Sequence, residues 1–299
     1  MATIHPFDSY SLGATLYMPV LHSKVSAILH GQVPPPAESI VLCLEDALAE
    51  RDVPHGLSFI DKLIEDLPAD DLPVRTFLRP RDMGMARDLC ARIKDSSIEG
   101  IVAPKVTPAT LPQWLEITRE GSLSLMVTLE SADFFDPSAI VAIRDVLDKN
   151  PLDAFRVVAI RLGGNDLLST LALRRERGVT SWESPLAWFL SMASSILIAS
   201  GYPVAAPVYD IIDDPETLQR EVHRDVAAGF ISKTIIHPVQ AAIIRQAFQV
   251  SSGDSACAEA AINIDAPAVF QFGGAMCEPA THRAWAERIA ARKHIFGLR

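Results

Sequence analysis

Short runs of apolar, β-prone residues recur along the chain and alternate with longer segments of helical periodicity. Strands are predicted at 14–20 (ATLYMPV), 39–46 (SIVLCLED), 74–80 (VRTFLRP), 100–106 (GIVAPKV), 123–131 (LSLMVTLES), 155–164 (FRVVAIRLGG), 202–210 (YPVAAPVYD) and 229–238 (GFISKTIIHP). Several of the segments between them open with a capping residue or a proline, as helices do. Because the strands are apolar throughout rather than alternating, the pattern predicts a parallel sheet covered on both faces.

The number of strand–helix units favours one fold class. Eight units in about 240 residues match the size of a (β/α)₈ TIM barrel. An open, doubly wound α/β sheet is the alternative that the same alternation permits. The remaining residues predict a helix, an apolar loop and a closing helix. We therefore expect a barrel catalytic domain over residues 1–248 and a C-terminal lid or oligomerisation extension over residues 249–299.

Composition and charge narrow the class of protein. The 299 residues are 49% hydrophobic and carry a formal net charge of −10, so a nucleic-acid partner is not expected. The four scattered cysteines have neither CxxC nor zinc spacing, which is typical of a reduced, cytosolic protein. The N-terminal segment lacks the pattern of a signal peptide, and the most apolar helical segment is interrupted by Gly201 and Pro203. A cytoplasmic protein without a membrane partner is the resulting expectation.

Charged residues follow the predicted strands at their C-terminal ends, where a barrel places its chemistry. They are Glu45, Asp46, Arg79, Lys105, Glu130, Asp166, Lys233 and His237. Carboxylates that converge on one mouth repel one another unless a cation or protonation offsets their charge. Mg²⁺ takes one or two carboxylates together with water and substrate oxygens, and Glu130 and Asp166 stand on neighbouring strands in that pattern. No histidine pair or Cys/His cluster in the sequence indicates zinc.

The segment IRLGGNDLLS, residues 160–169, ends an apolar run in two glycines, an amide and a carboxylate. Glycines let the backbone approach a ligand, and successive N–H groups at a helix start attract anions. Asp166 would then hold a metal while the amides of Gly164 and Asn165 bind a substrate carboxylate. The same four residues also suit an ordinary helix N-cap, and this alternative stays open.

Other candidates also have two interpretations. Arg79 suits bidentate carboxylate binding, but a surface ion pair with Asp82 would explain it equally well. Lys105 either contributes to substrate binding or neutralises Asp46. Glu130 is either a metal ligand or a solvated loop residue, and His237 is more typical of a structural histidine than of a catalyst.

Taken in order, five motifs resemble those of the citrate lyase β-subunit / HpcH–HpaI aldolase superfamily. LCLEDAL resembles its D-L-E-D segment, GIVAPKV its G-I-x-L-P-K-V, and LMVTLES its apolar run followed by E-T/S. LGGND is similar to its F/L-G-x-x-D, and AAGFISKTIIHPVQ to its G-F-x-G-K-x-x-I-H-P-x-Q. The order and spacing hold from about residue 14 to residue 248, and five motifs in register are far more specific than any one of them.

The resemblance implies a (β/α)₈ barrel that makes or breaks carbon–carbon bonds through an enolate. It also implies Mg²⁺, with Mn²⁺ as a substitute, bound by Glu130 and Asp166. Arg79 would grip the 2-oxo or carboxylate group, with Arg75 as the other candidate for this arginine. Glu45 and Asp46 would orient the arginine and the metal-bound waters. Positive charge aimed at developing negative charge is usually the largest catalytic contribution.

The sequence also departs from the family pattern. Cys43 replaces the first acid of D-L-E-D, and Ala206 and Pro207 occupy the place of the acidic residue of strand seven. The opening R-S-x-L-F-V-P-G, which helps acyl-CoA members bind the nucleotide, is GATLYMPV here, without its arginine and final glycine. These differences argue against a coenzyme A or carrier thioester and indicate a divergent, stand-alone branch.

The C-terminal extension resembles the family's lid, in which G-x-M-I-D-x-P lends an acid to the site of a neighbouring subunit. Here GGAMCEP places Glu278 one residue out of register with that acid. Glu278 is therefore expected to act in trans as acid or base, within a homotrimer or hexamer. An acid that simply complements the helix dipole is the alternative.

Three functions are compatible with these residues. The first is a Mg²⁺-dependent carbon–carbon lyase or aldolase that acts on a small 2-oxo or 3-hydroxy acid or its thioester. The second is a barrel that binds metal and ligand without turnover and serves as a partner or regulatory subunit. The third is a phosphoenolpyruvate-using enzyme of the same barrel class, for which the sequence offers no clear phosphate cradle.

Overall fold

The computed structural model describes residues 9–68 and 71–299, and its centre is a closed barrel of eight parallel strands. The strands are β1 Ala14–Pro19, β2 Ser39–Cys43, β3 Arg75–Arg79, β4 Gly100–Ala103, β5 Ser124–Leu129, β6 Val157–Leu162, β7 Val204–Ala206 and β8 Ser232–Ile235. Each strand pairs with the next in the chain, and β8 closes the barrel on β1 through the pairs Ala14↔Lys233 to Leu16↔Ile235. The predicted TIM barrel is confirmed, and each predicted run contains one strand. Residues 1–8, part of the segment on which the targeting expectation rests, lie outside the described residues.

Burial explains why the strands are apolar throughout. All residues of β2 and β4 are buried, since one face of each strand fills the barrel interior and the other packs under the helices. At about 25 cal/mol for each Å² of buried apolar surface, such strands provide the largest favourable contribution to folding. The C-terminal ends of all eight strands therefore meet at one mouth.

Helices and short helical turns connect the strands. The helices are α1 Val25–Leu29, α2 Val53–Asp66, α3 Met83–Ile93, α4 Leu111–Glu120, α5 Pro137–Lys149, α6 Pro151–Ala154, α7 Gly164–Thr170, α8 Leu186–Ala193, α9 Pro215–Ala227 and α10 Val239–Phe248. Several carry proline in the first turn, as expected from the sequence, because proline lacks the N–H that would be unpaired there. None of the helices in the described ranges is long and apolar enough to cross a lipid bilayer.

Asp214 caps α9, and its hydrogen bonds predict how the stability of the fold depends on pH. Its carboxylate accepts hydrogen bonds from the Tyr209 hydroxyl at 2.7 Å, the Gly178 amide at 3.0 Å and the Thr217 amide at 3.2 Å. These bonds, the Tyr209 bond above all, lower the pKa of Asp214 from 3.8 to about 2. A carboxyl whose folded-state pKa is lowered stabilises the fold above its ordinary pKa, and this contribution is lost as the pH falls through the folded value.

We therefore expect Asp214→Ala to lower the free energy of unfolding by about 1 kcal/mol at neutral pH, the usual value of an N-cap. The difference between the variant and the unmodified protein should shrink as the pH falls from 3.8 towards 2, where the Asp214 carboxylate becomes protonated. This difference in the free energy of unfolding is measured by urea titration at several pH values, with circular dichroism as the signal. A difference that stays constant down to the lowest pH would contradict the assignment.

The C-terminal extension packs against the barrel end opposite the mouth. It consists of α11 Ser252–Ile262, β9 Phe270–Phe272, β10 Ala275–Cys277 and α12 Pro279–Phe296. Arg288 of α12 donates hydrogen bonds to the Gly229 carbonyl and the Tyr10 hydroxyl, both of which precede the start of a barrel strand. The extension has a small apolar cluster of its own, but a domain boundary at residue 248 stays a prediction.

One segment of the extension differs from its expected form. The predicted apolar loop APAVFQFGGAMCEP contains an antiparallel hairpin in which Phe272 pairs with Ala275. Gly273 and Gly274 connect its strands with φ angles of 56° and 85°. Two successive residues in the left-handed region are the requirement of a tight hairpin turn, and glycine meets it without strain.

Candidate active site

A cavity of about 270 Å³ opens at the mouth of the barrel, among the C-terminal ends of the strands. Six residues predicted for the site line it: Asp46, Arg79, Glu130, Gly164, Asn165 and Asp166. Glu45 lies directly behind them, and Lys105 lies at the rim. The barrel thus brings together most of the predicted group, although the chemical role of each residue stays a prediction.

Arg79, the last residue of β3, is the central cation of the cavity. Its Nε donates to Glu45 Oε2 at 2.5 Å and its Nη2 donates to Glu130 Oε1 at 3.1 Å. Burial opposes the charged guanidinium, but the neighbouring Tyr17, Glu130 and Glu45 outweigh burial and raise the pKa of Arg79. Asp82, the partner considered from sequence, instead caps α3 by accepting the Met85 amide. Arg79 is therefore permanently charged and held rigidly inside the site.

The second candidate arginine lies elsewhere. Arg75 is at the start of β3, where its Nε donates to Glu99 Oε2 at 2.8 Å. Three residues of extended chain separate it from Arg79, so the two residues lie at opposite ends of β3. Of the two candidates, only Arg79 lines the cavity.

The backbone amide of Lys105 contacts the side chain of Glu130, whereas the side chain of Lys105 contacts Glu45. The Lys105 amide donates to Glu130 Oε1 at 2.6 Å, and Lys105 adopts a φ of 49°, which is uncommon for a residue with a side chain. The Lys105 ammonium reaches Glu45 Oε1 at 3.1 Å, although its side chain is 58% exposed. That hydrogen bond is the first cause of the raised pKa of Lys105. Lys105 thus places an exposed positive charge at the rim, paired with Glu45 rather than with Asp46.

Gly163 allows the β6 loop to approach Glu130 closely. A Cβ atom built on Gly163 would lie 2.3 Å from the Cβ of Glu130 and 2.8 Å from its Oε2. No side chain fits in that space unless Glu130 moves. Gly163 therefore makes room for the carboxylate of Glu130, a residue of the site. The sequence suggested instead that glycine lets the backbone approach a ligand.

Gly163→Ala is expected to displace Glu130, because an inserted methyl group in a filled site typically costs about 1–3 kcal/mol. We expect a lower melting temperature and at least a tenfold weaker affinity for Mg²⁺ or Mn²⁺, in line with displaced metal supports. Gly253→Ala is the matched control, since its Cβ would meet nothing closer than the Ser251 hydroxyl at 3.9 Å. Equal effects of the two substitutions would contradict the role assigned to Gly163.

Burial and like charge disfavour the ionised forms of two carboxyl groups in the cavity. Burial, together with the nearby charge of Asp166, raises the pKa of Glu130 despite the opposing effect of Arg79. Burial and the like charge of Asp46 raise the pKa of Asp166. Within residues 9–68 and 71–299, the half-buried Asp166 carboxylate has no hydrogen bond or salt bridge. Arg79 and Lys105 favour its ionised form without contacting it, so a bound cation would supply the direct partner that this carboxylate lacks.

The chemistry of these donors fits Mg²⁺. In the described part of the chain, no group of three or more His, Cys, Asp and Glu side chains is arranged to hold a metal. Mg²⁺ does not require such a group, because it commonly uses one or two carboxylates and keeps several waters. Glu130 and Asp166 offer two such carboxylates at the wall of one cavity.

The loop after β6 has a packing role as well as a place in the site. Gly164 lies against Pro207, whose Cβ would be 2.8 Å from a Cβ at Gly164. The Asn165 amide group donates to Asp210 Oδ2 at 3.4 Å, which links this loop to the one after β7. The predicted use of the Gly164 and Asn165 amides for a substrate carboxylate stays a prediction.

Two residues expected at the mouth lie outside it. Lys233 points away from the barrel interior, where its ammonium contacts Glu221 at 2.8 Å and Asp225 at 2.7 Å, both on α9. The physical reason is strand alternation, since Thr234, the next residue along β8, lines the cavity. His237 is exposed in the turn before α10, so the structural interpretation suits it better.

Glu278 is the N-cap residue of α12 and does not line the cavity of its own barrel. Its carboxylate accepts a hydrogen bond from the Thr281 hydroxyl at 3.1 Å, and its amide donates to His282 Nδ1 at 2.9 Å. Any contribution of Glu278 to a mouth would therefore have to be made to a second copy of the chain.

Tyr17 and Arg161 are among the cavity residues that the sequence does not single out. Tyr17 of β1 and Arg161 of β6 line the lower part of the cavity, and both guanidiniums of the site face the Tyr17 ring. A signal for Arg161 is present in the sequence, because it is the one charged residue of the apolar run VVAIRL. Nothing in the pattern distinguishes Tyr17 from an ordinary strand residue.

Comparisons with known proteins agree with the geometry. A family model described as the C–C bond lyase of the TIM-barrel fold matches residues 6–298. A (3S)-malyl-CoA thioesterase of Cereibacter sphaeroides is 27% identical over 250 residues, which is 84% of this chain and 80% of that protein. A citrate lyase subunit beta-like protein of Mycobacterium tuberculosis is 28% identical over 221 residues, or 72% of each chain.

A solved structure extends the likeness to three dimensions. The protein CitE from Mycobacterium tuberculosis, in complex with magnesium, acetoacetate and coenzyme A, superposes with a TM-score of 0.67. The match covers 94% of this chain and 98% of that one at 23% identity. At that identity, the likeness establishes the barrel architecture, including part of the C-terminal extension.

Proposed function

The chain belongs to the C–C bond lyase family of the TIM-barrel fold, and from this premise we propose a Mg²⁺-dependent lyase acting on a small 2-oxo or 3-hydroxy acid or its thioester. The observation that carries the proposal is Arg79, fixed between Glu45 and Glu130 in the cavity that also contains Asp166. Carbon–carbon cleavage of this type leaves negative charge on the substrate as an enolate. The site is built to receive such charge.

Glu130 and Asp166 are the proposed metal ligands, with Asp46 orienting water between them. Bound there, Mg²⁺ or Mn²⁺ would add positive charge where the substrate oxygen becomes negative. The relative CitE has been crystallised with magnesium, which supports this choice of ion.

The chain's own groups have separate tasks in this proposal. Arg79 uses Nη1, whose one bond is a long contact of 3.4 Å to Thr128, to bind the 2-oxo or carboxylate group. Glu45 holds the guanidinium in plane, so the donor is oriented before the substrate arrives. Lys105 and the Gly164 and Asn165 amides complete the binding of the carboxylate.

A substrate panel tests the proposal. Small 2-oxo acids and 3-hydroxyacyl thioesters are incubated with the protein, with and without Mg²⁺, and the release of pyruvate, oxaloacetate, glyoxylate or acetyl groups is measured. Thioesters belong in the panel because the name of one relative includes malyl-CoA, although the strand-one segment lacks the family's arginine. Absence of product across the panel, with Mg²⁺ shown to be bound, would count against a lyase.

A partner or regulatory subunit without turnover is the second candidate. It is favoured by the end of β7, where Ala206 and Pro207 stand in place of the family's acid and Pro207 packs on Gly164. A stable complex with another protein, together with tight ligand binding and no conversion, would favour this candidate over the lyase.

Glu278 is proposed to act as acid or base on the substrate bound by a neighbouring subunit of a homotrimer or hexamer. The position of α12, away from its own mouth, supports action in trans. We also propose a cytoplasmic location, in keeping with four free cysteines.

Glu278→Gln is expected to lower kcat by about 10²-fold or more, the usual contribution of a general acid or base, without changing Mg²⁺ affinity. Mixing this variant with Arg79→Lys and allowing subunits to exchange should restore part of the activity, because some mouths then combine an intact Arg79 with an intact Glu278. Unchanged turnover in Glu278→Gln, or no recovery in the mixture, would remove Glu278 from the mechanism.

A further inference from the structure

Arg161 is a buried cation without an acidic partner. Arg161 lies on β6 and is 1% exposed. Nη1 donates to the Thr15 hydroxyl at 3.3 Å and approaches Met126 Sδ at 3.5 Å, and Nη2 donates to the Thr234 hydroxyl at 2.5 Å. Its Nε has no hydrogen-bond partner in residues 9–68 and 71–299, and no carboxylate in those residues forms a salt bridge with it.

The other fully buried cations of the described chain are neutralised. Arg79 lies between Glu45 and Glu130, and Lys233 lies between Glu221 and Asp225. A buried charge without a counter-ion is strongly unfavourable, so proteins retain one mainly where a function requires it. Burial lowers the pKa of Arg161, and the charge of Arg79 acts in the same direction, while the neighbouring Tyr17 opposes them without outweighing burial.

Arg161 lies at the floor of the candidate active site. It lines the same cavity as Arg79, Glu130 and Asp166. Arg161 is inside its strand, whereas Glu130 and Asp166 follow the ends of theirs, so the cation is deeper along the barrel axis. The Cζ of Arg79 is 5.9 Å from the centroid of the Tyr17 ring, and the Cζ of Arg161 is 5.5 Å from it.

We propose that Arg161 forms a second anion subsite, which binds a carboxylate at the far end of the substrate. The inference rests on the proposed lyase function and makes it more specific, because the substrate class becomes small acids with two carboxylate ends. One end is bound at the mouth by Arg79 and the metal ligands, and the other supplies the counter-ion that Arg161 lacks. The planar guanidinium suits a carboxylate, which its unpaired Nε–H and an Nη–H can bind together.

The experiment compares two ligands of equal length in the Mg²⁺-loaded protein. Succinate carries two carboxylates and butyrate carries one, and their affinities are measured by isothermal titration calorimetry. The unmodified protein should bind succinate at least about tenfold more tightly, as one additional charge-assisted contact implies. Equal affinities for the two ligands would overturn the proposal without any variant.

Substitutions test whether Arg161 causes the difference in affinity between succinate and butyrate. Arg161→Met should reduce the succinate-to-butyrate ratio to about one and leave butyrate affinity within about twofold, while Arg161→Lys should retain part of the ratio. Arg245→Met removes an exposed arginine paired with Glu38 outside the cavity and should leave the ratio unchanged. A ratio that survives in Arg161→Met would overturn the subsite.

Binding and turnover separate the two proposals. If the protein distinguishes succinate from butyrate through Arg161 but cleaves no substrate, the subsite stands and the lyase proposal fails. If it cleaves small acids but binds both ligands equally, the lyase stands and the subsite fails.

Discussion

Arg79→Lys is expected to lower kcat/KM of the lyase reaction by about 10²- to 10³-fold, the usual cost of removing one preorganised donor from a developing oxyanion. Lysine keeps the positive charge, so Glu45 and Glu130 are not left as uncompensated buried acids. It lacks the planar fork, however, and cannot bond both glutamates and the substrate at once. Steady-state kinetics with the best substrate of the panel measures the change.

The control for this prediction is Arg75→Lys, the same substitution in the same strand. Arg75 pairs with Glu99 at the other end of β3 and should affect stability rather than catalysis. Equal losses of kcat/KM in the two variants, or no loss in Arg79→Lys, would contradict the assignment of the substrate arginine.

Asp166→Asn should abolish most of the Mg²⁺-dependent activity and weaken Mg²⁺ or Mn²⁺ binding by about 10²-fold. An amide can still coordinate through its oxygen but has lost the negative charge on which a site with only two acidic ligands depends. The unliganded variant should be at least as stable as the unmodified protein, because a half-buried carboxylate with a raised pKa is removed. Calorimetric titration with Mg²⁺ and thermal unfolding measure the two effects.

Glu176→Gln serves as the matched control, since it removes one carboxylate that is exposed and lies outside the cavity. Unchanged metal affinity in Asp166→Asn would disprove the proposed metal site.

The affinity for Mg²⁺ should also depend on pH. Protons compete with Mg²⁺ for Glu130 and Asp166, so the affinity should fall with decreasing pH. The fall should begin above the ordinary carboxyl range, because both pKa values are raised.

The sequence predicts the barrel because the strand runs are largely apolar rather than alternating, and their lengths define eight strand–helix units. It also places Arg79, Glu130 and Asp166 near one another, because the ends of parallel strands share one mouth. Position along the chain is sufficient for both conclusions, and neither depends on the direction of a side chain.

Side-chain direction inside the strands is what the sequence does not provide. In an alternating strand, polarity shows which residues face the core, but a strand buried on both faces loses this signal. The sequence therefore predicts Lys233 at the mouth, but its side chain points to α9. It does not indicate Arg161 as a site residue, but Arg161 lines the cavity. The Gly273–Gly274 hairpin differs from these cases, because two glycines between FQF and AMC were a usable signal.

The ion pairs of Lys233 constrain how this protein can change during evolution. Loss of Lys233 would leave the buried Asp225 without a cation, at a cost of about 3–5 kcal/mol, whereas Glu221 would keep its ion pair with Arg175. That is a large part of the 5–15 kcal/mol by which a typical domain is stable. An intermediate that has lost Lys233 alone is therefore strongly disfavoured, and we expect Lys233 and Asp225 to vary together among descendants of this chain or to remain fixed.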